Sequence, residues 1–452
     1  MAPGTDDVEG SVGATPVTDS VQGSITNEEP PEDAALTEAV VLVPEVLANS
    51  LGEYVGAWWK RIRGGESGAL PILIGLVVVI VAFQIENSHF LTAVNIVNLF
   101  IEAAFFTLLG AAELFALLLG EIDLSVGYVA AVGGTIVAGL IGSPYNWPLW
   151  AALLVGLGIC AAIGFVQGSL ITRLHLPSFV VTLGGLLFWS GFLIYLYDVD
   201  KGSVGGVISI TNSVVVDLVY GSVTPLASWI ALAVVVGLFA LYSISRAARR
   251  RSRGLSAPPL SITIFTVVVT AAAGVALVVI CNLNRGSNGV VLKGVPWVVP
   301  FVIVIIVALS FVLGRTRFGR YIYAIGASPE AARRAGINVA WIRTFSFVVV
   351  GVVAALAGLV YDSRLASINV GFDGGTDVLY AVAAAVIGGA SLMGGRGKAI
   401  HPLIGGLILA VVANGLDLIN ITTAGQEMAT ALVLVIAVTI DSVVRRRGTT
   451  TS

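Results

Sequence analysis

Carboxylates stand inside or beside long apolar stretches, among them Glu102, Glu113, Glu121, Asp123 and Asp417. A carboxylate at membrane depth is costly, so it must be paired, cap a helix, line a wet cavity or carry a proton. Glu102 and Glu113 are eleven residues apart, which puts them on roughly one helical face. The run Gly120-Glu-Ile-Asp-Leu-Ser-Val-Gly127 then interrupts the apolar sequence. Two readings of this break are open. Asp123 or Ser125 caps the next helix while Glu121 sits at the interface, or these groups touch the substrate directly. Asn95, Asn98, Gln167, Thr182 and Asn414 are scattered neutral polar groups of the kind that line a pathway for an uncharged solute or bond between helices.

Other chemistries lack their residues. Cys160 and Cys281 lie singly in apolar runs, and His89, His175 and His401 show no ligand spacing, so no metal site is expected. No nucleophile–base constellation appears, and the chain is read as non-catalytic. The glycine-rich run from Gly388 to Lys398 resembles a phosphate loop only superficially. Leu392 stands five positions before Gly397, and Ala399 follows Lys398, so the Walker pattern fails at both ends. The glycines instead suit a tight break between apolar segments. A second, weaker echo of that break is the 120–127 run, and Gly164-Phe-Val-Gln-Gly168 carries the small-xxx-small spacing of closely packed helices.

Composition decides where these residues sit. Hydrophobic residues make up 57% of the chain and charged residues 11%, with a mean hydropathy of +0.96. Soluble domains carry about 25% charged residues, so the chain is expected to be an all-α integral membrane protein. Apolar segments fall near 69–84, 96–119, 124–142, 149–171, 178–196, 226–245, 260–281, 296–313, 342–361, 378–393, 401–420 and 427–443, which makes a polytopic bundle of about 12 spans. Residues 1–50 contain ten carboxylates and no Lys or Arg, and read as a disordered acidic tail without signal-peptide character. Residues 51–68 pair Trp58 and Trp59 with Lys60, Arg61 and Arg63, an interfacial anchor. Residues 69–445 form the transmembrane domain and 446–452 a short tail. With a cytoplasmic N-terminus, all but four of the 24 Lys and Arg fall inside, the exceptions being Lys201, Arg285, Lys293 and Arg364. That asymmetry follows the positive-inside rule and places both termini in the cytoplasm.

The longest polar interruption between spans, Arg315 to Val339, holds a helix with complete start and stop signals. Ser328 can cap the first free N–H groups, and Pro329 fits the first helical position. Glu330 places negative charge in the first turn, Arg333 and Arg334 place positive charge in the last, and Gly336 suits the left-handed stop. Residues 328–336 therefore read as a rigid cytoplasmic docking helix.

Three runs occur in one order: Glu121-Ile-Asp-Leu-Ser-Val-Gly127, the stretch Gly319 to Asn338, and Ala385-Val-Ile-Gly-Gly-Ala-Ser-Leu-Met-Gly-Gly395. Together, across residues 69–445, they resemble the membrane permease subunits of bacterial ABC importers for monosaccharides, with the xylose branch nearest. The resemblance implies a type II importer architecture in the bacterial inner membrane, with two permease copies, two cytoplasmic ATPase subunits that bind ATP and magnesium, and an external sugar-binding protein. This chain would hold no cofactor and no nucleic acid, and would move a pentose such as D-xylose inward. Ser328, Pro329, Glu330, Ala331, Arg333, Arg334 and Gly336 would form the coupling helix. Glu113 and Asp417 depart from the family pattern, where uncharged residues are more usual. The competing reading from the residues themselves is a proton-coupled secondary carrier using Glu113 and Glu121.

Overall fold

The structure is a computed structural model that describes residues 70–199, 207–253, 260–286, 290–369, 371–432, 435 and 439. The acidic segment 1–50, the anchor 51–68 and the tail 446–452 lie outside the described residues, and the apolar segment near 427–443 lies only partly inside them. The chain runs α1 (Leu70–Glu86), α2 (Ala93–Leu118), α3 (Val126–Ile141), α4 (Leu149–Arg173) and α5 (Ser178–Val199). Then come β1 (Val207–Ser209), α6 (Ser213–Tyr220), β2 (Ser222–Val223), α7 (Pro225–Ser252), α8 (Leu260–Asn282), β3 (Val295–Pro296) and α9 (Val298–Arg315). The last part comprises α10 (Arg317–Ala327), α11 (Pro329–Arg334), α12 (Val339–Leu365), β4 (Ser367–Asn369), α13 (Gly374–Ile387) and α14 (His401–Leu418).

Among the described residues, eight helices are long and apolar enough to cross a membrane: α2, α4, α5, α7, α8, α9, α12 and α14. The expected segments near 69–84, 124–142 and 378–393 correspond to α1, α3 and α13, which are apolar but shorter. The all-α expectation needs one amendment. Two small antiparallel ribbons, β1 with β4 and β2 with β3, tie the connections that follow α5, α8 and α12. A short helix also forms between β1 and β2: Asn212 accepts the N–H groups of Val214 and Val215 and so starts α6.

Helix α2 is predominantly apolar and is buried almost throughout, and its few buried polar side chains include Asn95, Glu102 and Glu113. It packs against α12, α13 and α14, while α12 also packs along α3 and α4. Helices α7 and α8 pair with each other at the periphery and remain almost wholly exposed, which suits helices whose partner is lipid.

No hydrophobic force drives helices together within lipid, so close van der Waals contact must do it. The α4–α12 seam achieves this with glycine. A Cβ at Gly164 would lie 2.1 Å from the Phe347 carbonyl oxygen, and one at Gly351 would lie 2.1 Å from that of Cys160. Thr344 donates to the Gly168 carbonyl at 3.2 Å across the same seam. The small-xxx-small pattern is therefore a packing surface. Overpacking such a contact costs about 1–3 kcal/mol. We expect Gly164→Val and Gly351→Val to lower the thermal unfolding midpoint of the purified chain by several degrees, whereas Gly158→Val and Gly191→Val, with open space around them, leave it unchanged.

Candidate functional site

Helices α10 and α11 are built by local signals. Thr316 caps α10 through a 3.1 Å bond from the Gly319 N–H. Ser328 ends α10 and starts α11, its Oγ accepting the Ala331 N–H at 3.2 Å. Pro329 occupies the first turn, Glu330 and Arg333 pair at 3.3 Å on the exposed face, and Gly336 takes φ +80°. The Gly336 and Ile337 N–H groups return to the Arg333 and Ala332 carbonyls and close the helix. Asn338 then caps α12 through the Trp341 N–H at 3.0 Å. Only Ala332 of α11 is buried, so this short helix presents almost its whole surface outward.

Behind it, α10 is amphipathic and buries Ile322 and Ile325 completely. It rests on the two glycine breaks that looked like faint echoes in the sequence. The breaks are in fact stacked on each other. The Gly395 N–H donates to the Leu118 carbonyl at 2.9 Å, and the Tyr323 hydroxyl donates to the Gly397 carbonyl at 2.8 Å. Burial pushes the Tyr323 phenol above its ordinary pKa. A Cβ at Gly326 would sit 1.9 Å from the Leu118 oxygen, and one at Gly394, already at φ +84°, would sit 2.9 Å from the Gly120 nitrogen. Backbone thus meets backbone where the end of α2, α10 and the 394–397 loop converge.

Just inside this seam lies a buried polar cluster. Glu113 Oε1 accepts the Asp123 N–H at 3.1 Å. Asp123 Oδ1 accepts both the N–H and the hydroxyl of Ser125, at 2.8 and 2.6 Å. Gln167 Nε2 donates to Ser125 Oγ at 2.9 Å, and Thr182 Oγ1 donates to the Ile122 carbonyl at 3.4 Å while also bonding within its own helix. Glu121 forms an ion pair with Arg343 at the start of α12. Burial raises the Glu121 carboxyl above the usual range and the Arg343 guanidinium draws it back; burial likewise raises Asp123, opposed by its Ser125 bonds.

Glu113, Glu121, Asp123, Ser125, Gln167 and Thr182 are therefore neighbours, linked by bonds between four helices and one turn. The capping reading needs correction in detail. Ser125 occupies the N-cap position of α3 without a side-chain capping bond, because its hydroxyl is committed to Asp123 and Gln167. Asn95 and Asn414 do not join the cluster. They bond to each other at 2.7 Å near the other end of α2, about 27 Å away at 1.5 Å per residue. Asn98 stands apart from both groups on an exposed face. Asp417 is exposed and accepts from Gln426 at 2.7 Å.

Three residues escaped the sequence reading. Arg364 of α12 bonds Glu102 at 3.2 Å. Arg343 and Arg364 flank the apolar core of α12, where flanking charges read as boundary markers rather than partners. Asp362 is 1% exposed, without a hydrogen bond at either oxygen, and faces Gly134, where a Cβ would lie 2.4 Å from Oδ2. Its one signal was an acid at the edge of an apolar run. No group of three or more His, Cys, Asp or Glu suited to a metal occurs among the described residues.

The Glu113 geometry separates charge from hydrogen bonding. Glu113 is fully buried; one oxygen is bonded and the other has no partner. Gln preserves the bonded oxygen, whereas Leu leaves the Asp123 N–H unsatisfied, a loss of about 1–3 kcal/mol. We expect Glu113→Gln to unfold within a degree or two of the native chain in a thermal melt, and Glu113→Leu to unfold several degrees lower.

Comparison with known proteins shows the family to which the chain belongs. A family described as the branched-chain amino acid transport system permease component matches residues 95–440. The chain is 30% identical over 379 residues to the xylose transport system permease protein XylH of Escherichia coli K12, covering 83% of this chain and 92% of that one. It is 27% identical over 374 residues to the D-allose permease AlsC of the same strain, covering 82% and 90%. It is 28% identical over 370 residues to the ribose import permease RbsC, also from that strain, covering 82% and 92%. No solved structure matches it. A match spanning most of the chain, on a bundle with eight membrane-length helices, settles the class: this is a multi-pass, non-catalytic transport subunit that belongs to the branched-chain amino acid transport system permease component family.

Proposed function

We propose that this chain is the transmembrane subunit of an ATP-driven importer that carries a monosaccharide, D-xylose or a related pentose, into the cytoplasm. The observation that carries the reading is the match over four-fifths of this chain to permeases named for xylose, allose and ribose. That three sugars appear at similar identity supports a monosaccharide more strongly than any one pentose. In this reading two copies of the chain enclose the pathway in a type II arrangement of about 12 spans each. Both termini and α11 face the cytoplasm, where ATPase subunits bind ATP and magnesium, and an external binding protein delivers the sugar.

Residues 328–336 are the coupling helix. Ser328, Pro329, Glu330, Ala331, Arg333, Arg334 and Gly336 hold its shape and present its surface. Force applied there passes through α10 to the stacked glycine breaks, and through the start of α12 to Arg343 and Glu121. The pathway groups are Glu113, Glu121, Asp123, Ser125, Gln167 and Thr182 toward the cytoplasmic end, with Asn95, Asn98 and Asn414 toward the outer end. Family membership weighs against the proton-coupled carrier, which needs no docking helix.

The reading is tested in proteoliposomes with the ATPase partner inside and the binding protein and labelled D-xylose outside. We expect uptake to require ATP, to survive an uncoupler, and to fall at least tenfold in Ala331→Glu and Gly336→Val. The latter forces a β-branched residue into the left-handed region. Uptake that collapses with the uncoupler and ignores ATP would overturn the importer reading; full uptake in both variants would overturn the coupling role.

A further inference from the structure

A cleft of about 720 Å³ lies beside α11, between the α4–α5 turn and the start of α12. Its volume is in the range of small-molecule sites, about 300–1,000 Å³. Arg333, Arg343 and His175 line it together with Val339 and Ala340, and no acidic side chain does so among the described residues. Val339 and Ala340 begin a 27-residue helix, so their N–H groups have no acceptor within it and sit at its positive end. Arg343 spends one end of its guanidinium on Glu121, while its Nε is buried without a partner. Arg333 shares its charge with exposed Glu330 at 3.3 Å. Leu176 and Pro177 add an apolar wall.

We propose that this cleft binds a phosphate-bearing anion, supplied by a phosphorylated sugar or by the headgroup of an anionic lipid. Two guanidinium groups, an imidazole and free helix N–H groups belong to the lining of one cleft that no carboxylate lines, and this is the chemistry that holds a phosphate. The volume exceeds what a bare inorganic phosphate would fill, and the apolar wall suits the rest of a larger molecule. Arg343 faces two anions, Glu121 on one side and the ligand on the other. Removing Glu121's charge releases the guanidinium to the cleft, so the two sites are linked.

Native mass spectrometry of the purified full-length chain tests this with ribose 5-phosphate and phosphatidylglycerol as probes, against ribose and phosphatidylcholine as neutral controls. We expect one added equivalent of at least one phosphate probe above its control. Ribose 5-phosphate alone identifies a soluble ligand, and phosphatidylglycerol alone identifies a lipid. The paired substitution Arg333→Gln with His175→Asn should weaken that binding at least fivefold; both side chains are exposed, and Asn tolerates the positive φ of position 175. Glu121→Gln should tighten it at least twofold. Neither probe binding above its control, binding unchanged in the paired variant, or binding not tightened in Glu121→Gln would overturn the proposal.

Discussion

The pairing of Glu121 with Arg343 is the constraint on which the rest of the inner architecture depends. A carboxylate that is 4% exposed at the end of a membrane bundle needs a cation to remain charged, and the partly exposed Arg343 supplies it. The requirement fixes the α2–α3 turn against the first turns of α12. Once the turn is fixed, Asp123 meets Glu113, Ser125 meets Asp123, and Gln167 reaches in from α4 to complete the cluster. The pair is also the point where an outward-facing element touches a buried one, since Arg343 stands five residues after the Asn338 cap that follows α11.

The glycine seam supplies the second half of the same connection. Hydrogen bonds run from Gly395 to Leu118 and from Tyr323 to Gly397, so α10 cannot shift without carrying the end of α2 and the 394–397 loop. Side chains at these positions would hold the backbones apart and turn a rigid contact into a compliant one. The bundle core, with α2 enclosed by α12, α13 and α14, then gives the displaced ends something stiff to move. The exposed pair α7 and α8 takes little part in this and sits at the margin.

Legibility from sequence followed the range of the interactions. The shape of α11 was readable because Ser328, Pro329, Glu330, Arg333 and Gly336 act within one or two turns, and the caps form as the residue types require. Membrane segments were readable from hydropathy, and apolar helices occur at the positions expected for the first eleven. The cluster was readable only as a set of suspicious residues. Nothing in the sequence joins Gln167 to Ser125 across 42 positions, or Arg364 to Glu102 across 262. The stacking of the two glycine breaks was hidden for the same reason. The sequence could not place Asn98 relative to Asn95 and Asn414, which bond to each other while Asn98 stands on an exposed face. Asp362 remained unseen because a single acid at the end of an apolar run has the appearance of a boundary.

A Glu121–Arg343 pair that transmits between the outward helix and the buried cluster must act as one unit. A double-mutant cycle on the reconstituted transporter addresses it directly, with sugar uptake per ATP hydrolysed measured for Glu121→Gln, Arg343→Gln and the two combined. We expect each single substitution to lower this ratio about tenfold, roughly 1.4 kcal/mol, and the combination to be no worse than the poorer single variant. Losses that multiply to about a hundredfold would mean that the two residues act independently, and would contradict it.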